Sequence, residues 1–166
     1  MANKQSFTPE EWTKILESPM VAGIAVSASE PSGLWGSLKE AFASVSALAS
    51  AKLDAGSTEL VRAVASDFET AEGRSDIQKA LRQRFGDAEP HDCVHRSLAN
   101  LREVSSLLDA KAPGEAAAFK AWLLTISQKV ADAASEGAFM GFGGEQISDA
   151  EKATLGDIAK ALGTSV

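Results

Sequence analysis

Signals for starting and stopping helices punctuate this chain from end to end, and they leave room for little except an all-α fold. Three stretches read as capping boxes: Thr8 with Glu11, Ser75 with Gln78, and Ser148 with Glu151. In each, the first side chain accepts the amide N–H three residues on, and the later side chain reaches back. Pro9, Pro90 and Pro113 suit the first helical position, where the missing N–H costs nothing. Gly73, Gly86 and Gly163 read as helix stops. Between these marks apolar residues recur at three-to-four spacing: Leu34, Leu38, Phe42, Val45; Leu60, Val64, Phe68; Val94, Leu98, Leu101, Leu108; Phe119, Leu123, Ile126, Val130; Leu155, Ile158, Leu162. Tyrosine is absent, and Val and Ile are too scattered for strands.

The expectation is a single compact bundle of about seven to eight helices spanning 1–166. Ser18-Pro19 reads as the start of a separate short helix running to about Ser29, with Glu30-Pro31-Ser32-Gly33 breaking it. The third, sixth and seventh helices, starting near Leu34, Pro90 and Pro113, are expected to supply the central core. Lys120, Gln128 and Asp132 are expected to face outward, and Trp12, Trp35 and Trp122 to fill the core or its edge.

Charge narrows the classes of partner. Lys and Arg total 16 against 23 Asp and Glu, a net −7, which opposes binding to a phosphate backbone or an anionic membrane surface. No apolar run approaches the ~20 residues that span a bilayer, so no membrane insertion is expected. One cysteine, Cys93, cannot form an internal disulfide, which fits a reducing cytoplasm. It reads as a small packing residue.

One segment hints at chemistry. From Ala134 to Glu151 the chain carries four glycines, with Phe139, Met140 and Phe142 among them. Glu136 and Glu151 stand at the two lips of this connection, where two carboxylates and backbone carbonyls suit a hard divalent cation. Gly141-Phe142-Gly143-Gly144 lacks both the preceding strand and the Gly-Lys-Ser/Thr ending of a phosphate loop, and Glu145 would repel a phosphate. Without an ion, Phe139, Met140 and Phe142 offer an apolar contact for a protein partner or a second copy.

A second arrangement is His91 and His95, one helical turn apart on either side of Asp92, Cys93 and Val94. The spacing lets both imidazoles reach one metal and is the enzymatic alternative, a metal hydrolase. Against it, Asp92 is one methylene shorter than the glutamate of a zinc-protease helix, and no third ligand follows. No nucleophile–base–orienter set can be assembled, so the chain reads as a non-enzyme.

Ala28-Ser29-Glu30-Pro31 recurs as Ala134-Ser135-Glu136-Gly137, each after a small-residue helix. With Ile147 to Leu155 and Ile158 to Gly163, this layout resembles the TerB-like tellurite-resistance family, mainly over roughly the last 35 residues. The resemblance implies an all-helical fold in which an acidic turn and a capped helix bearing a glutamate occur twice. Here Glu stands for the family's usual turn Asp, and Pro31 for its glycine. Glu136 and Glu151 then correspond to the second copy's acidic positions, Glu30 to the first copy's, and Glu40 to its helical glutamate. It implies a stress-linked cytoplasmic protein that binds a metal or a partner, with no established reaction.

Overall fold

The computed structural model describes residues 1–29, 45, 57–139 and 147–164, with side chains described only through residue 133 of the helix that ends at Phe139. Among them, every regular element is helical. A 3-10 turn, Lys4–Ser6, precedes α1 (Pro9–Ser27), α2 (Glu59–Glu69), α3 (Ala71–Phe85), α4 (Pro90–Lys111), α5 (Pro113–Phe139) and α6 (Asp149–Leu162). That is six α-helices among the described residues where seven to eight were expected. The expected helix through Leu34 and Phe42 lies outside them, except for Val45, which is helical and buried.

The start of α1 follows its local signals. The Thr8 hydroxyl accepts from Glu11 N–H at 3.3 Å, and a Glu11 oxygen accepts from Thr8 N–H at 2.8 Å. Phe7 and Trp12 close the hydrophobic staple with ring centroids 6.1 Å apart. No boundary falls at Ser18-Pro19, because α1 runs straight through both residues. Proline inside a helix leaves the carbonyl four residues back without its donor. Here that carbonyl is Ile15 O, and the Ser18 hydroxyl donates to it at 2.7 Å. The repair keeps the helix hydrogen-bonded, and burial then favours continuity. Every residue from Ile15 to Val26 is buried, so α1 is the central rod and packs against all five other helices. The core thus centres on the first helix, with α4 and α5 as its largest partners.

Two further expectations change. Helix α2 ends at Thr70, not at Gly73, and Thr70 caps α3 by accepting from Gly73 N–H at 2.9 Å. Ser75 and Gln78 consequently lie inside α3 rather than capping a helix. Lys120 does not face outward: it is 7% exposed, and its ammonium donates to both oxygens of Asp109 at 2.7 Å. A long aliphatic stem covers apolar surface while its head reaches a carboxylate at the rim. At the far end, Gly163 takes φ 68° and terminates α6 as its sequence indicates.

Glu115, in the first turn of α5, ties three segments together. One oxygen accepts from Ala2 N–H, the other from Leu60 N–H at 2.8 Å, near the start of α2. Burial pushes its carboxyl up, but those two amides and the Thr58 hydroxyl outweigh burial and hold it below the ordinary glutamate value. A depressed folded pKa adds stability above the unfolded value that is lost as pH falls through the folded one. Glu115→Gln keeps only one acceptor for two amides and should cost about 1–2 kcal/mol near neutral pH. That gap should close as the pH drops below about 4.5, in urea unfolding of both proteins. A gap that stayed constant down to about pH 3 would contradict this role.

Candidate functional site

The acidic connection is framed by α5 and α6, which pack on each other. Alanines at 131, 133, 134 and 138 favour helix, and α5 continues through Glu136 and Gly137 to Phe139. Glu136 therefore sits on the last turns of α5 rather than on a loop lip. On the other side Glu151 is the third residue of α6 and 4% exposed. One of its oxygens accepts from Ser148 N–H at 3.0 Å, while the Ser148 hydroxyl accepts from Glu151 N–H at 3.1 Å. The capping box fixes this carboxylate in one orientation. Glu30, Glu40, Met140, Phe142 and the side chains of Glu136 and Phe139 lie outside the described residues.

The histidines lie elsewhere. His91 and His95 are both exposed on the first two turns of α4. No group of three or more His, Cys, Asp or Glu side chains is placed to hold a metal among the described residues. Cys93, between them in sequence, points into the core, and burial pushes its thiol up, away from the reactive thiolate.

Sequence reasoning passed over a polar centre where α1, α3 and α4 meet. Glu17 is 2% exposed in the middle of α1. Its Oε1 accepts from Arg84 Nη2 of α3 at 2.5 Å and from Asn100 Nδ2 of α4 at 3.0 Å. Asn100 and Ser97, one turn apart on α4, are fully buried. Four buried polar atoms here have no partner among the described residues: Glu17 Oε2, Arg84 Nε, Ser97 Oγ and Asn100 Oδ1. The signal for this centre was Glu17 itself, a carboxylate one residue past the apolar Ile15-Leu16 pair and just before Met20-Val21. Placing it correctly required α1 to be continuous. Ser97 and Asn100 lie one residue off the apolar stripe read from Val94 and Leu98, and the buried face of α4 is turned toward Cys93, Ser97 and Val104.

No protein-family model matches the chain, no curated protein matches it, and no solved structure matches it. Among the described residues no helix is long and apolar enough to cross a membrane.

Proposed function

We propose that this is a non-enzymatic cytoplasmic protein of TerB-like character that binds a divalent cation at the α5–α6 connection. Glu136 and Glu151 supply carboxylates, and Glu30 is the third ligand. The observation that carries this reading is Glu151: a buried carboxylate held by its own capping box, on the helix that follows the one bearing Glu136. One Glu151 oxygen is committed to Ser148, and the other is the one an ion would take. Oxygen donors of this type suit calcium, manganese or magnesium rather than soft metals.

Titration with calcium or manganese tests this. An ion that binds only the folded chain stabilises it by about 2.7 kcal/mol at a hundred times its dissociation constant. The melting temperature should rise in wild type and not in Glu136→Gln, which leaves the α6 cap intact. Glu151→Gln should also lose the response but start from a lower baseline, since a cap contributes about 1 kcal/mol. Identical melting curves with and without millimolar ion would end the proposal. Association weakened by Phe142→Ala, with no ion response, would favour the apolar protein contact instead.

A further inference from the structure

We infer that the Glu17–Arg84–Asn100–Ser97 centre is a hydration site holding an ordered water molecule that bridges α1, α3 and α4. A buried polar group left unpaired forfeits its hydration with nothing in return. Four in one place would consume much of the marginal stability of a domain. No single rearrangement within the protein removes the whole deficit. Asn100 cannot turn its amide over, because that would set Oδ1 against Glu17 Oε1, one acceptor facing another. The side-on fork, with Arg84 Nε and Nη2 on the two Glu17 oxygens, is not formed, and only Nη2 reaches. Other buried helical serines find a carbonyl: Ser18 on Ile15, Ser127 on Leu123, and Ser105 on Leu162. Ser97, on the face that carries Asn100, does not.

The unmet demands define the occupant. Glu17 Oε2 and Asn100 Oδ1 each require a donor, Arg84 Nε requires an acceptor, and the Ser97 hydroxyl serves either way. A metal cation would face the guanidinium of Arg84, and an anion would face the carboxylate of Glu17. Water, with two hydrogens and two lone pairs, matches two acceptors and two donors, and buried waters typically make about three such bonds. This site is independent of the α5–α6 connection and stands or falls separately from the cation proposal.

A high-resolution crystal structure of the wild-type chain decides it. The expected result is a solvent peak about 2.6–3.2 Å from Glu17 Oε2 and from at least one of Arg84 Nε, Asn100 Oδ1 and Ser97 Oγ. Density for a dry side-on Arg84–Glu17 fork, with no solvent peak, would overturn the inference. So would a peak whose contacts fall near 2.0–2.4 Å, the distances of a coordinated metal.

Discussion

Replacing Arg84 by leucine should cost about 3 kcal/mol of unfolding free energy, the low end of the penalty for breaking a buried ion pair, because Arg84 itself is 25% exposed while its partner is buried. The reason is Glu17, whose carboxylate is 2% exposed on a helix buried along most of its length. With the guanidinium gone, Asn100 Nδ2 is the sole remaining donor to that carboxylate among the described residues. Because whole domains are stable by only about 5–15 kcal/mol, this single change should be visible as a large drop in the denaturation midpoint. The companion experiment is Glu17→Leu combined with Arg84→Leu. Apolar replacement of a buried pair is often neutral or favourable, so the double variant should recover most of the loss. Recovery will be incomplete, since Asn100 then loses its acceptor. Urea unfolding of the two singles and the double gives the coupling directly. If Arg84→Leu cost no more than the roughly 0.5 kcal/mol of an ordinary surface change, the polar centre would not be part of what holds α3 to α1.

The second large effect is expected at Gly73. A Cβ there would lie 2.0 Å from the Asp67 carbonyl oxygen and 2.9 Å from Thr70 Oγ1. The first of these is backbone, so the junction between α2 and α3 would have to open. Opening it breaks two bonds at once: Gly73 N–H to Thr70 Oγ1, and the Thr70 hydroxyl to Asp67 O. Alanine inside a helix ordinarily gains about 1 kcal/mol over glycine. Here the clash should reverse the sign and leave Gly73→Ala destabilised by about 2 kcal/mol, within the usual span for strained single substitutions. Gly156 is the control, because nothing lies within 4 Å of a Cβ built on it in α6. Gly156→Ala should stabilise the protein by up to about 1 kcal/mol. Opposite shifts in melting temperature for the two variants are the expected result. A rise in melting temperature for both would show that the α2–α3 junction yields to a methyl group.

These two sites show how far local reading reached. Gly73 was read as the end of a helix, but it lies inside α3. The capping is done by Thr70, three residues earlier, and the glycine is there because Asp67's carbonyl approaches it so closely. Glu17 passed unnoticed because Ser18-Pro19 looked like a boundary, which put the glutamate at a helix end where carboxylates are commonly solvated. In the folded chain Ser18 satisfies the orphaned Ile15 carbonyl and the helix continues. Lys120 looked like a solvated face residue, yet Asp109 on the neighbouring helix draws it across apolar surface. Of the acidic connection, the Ser148–Glu151 capping box was legible in the residues and is formed, whereas Glu136, read as one lip of a loop, lies on helix α5.

What the amino-acid order determined alone is the class of fold and the places where helices begin: Thr8, Pro90, Pro113 and Ser148, with Gly163 as the last stop. Those features are settled by atoms within four residues of one another, so a linear reading contains all the physics they need. Tertiary structure decided which helix became the central rod, whether Pro19 interrupted it, and where Glu17, Arg84 and Asn100 would meet. Those outcomes depend on burial and on partners 67 and 83 residues away in sequence, and no local pattern encodes the dielectric or the neighbours that such distant contacts create.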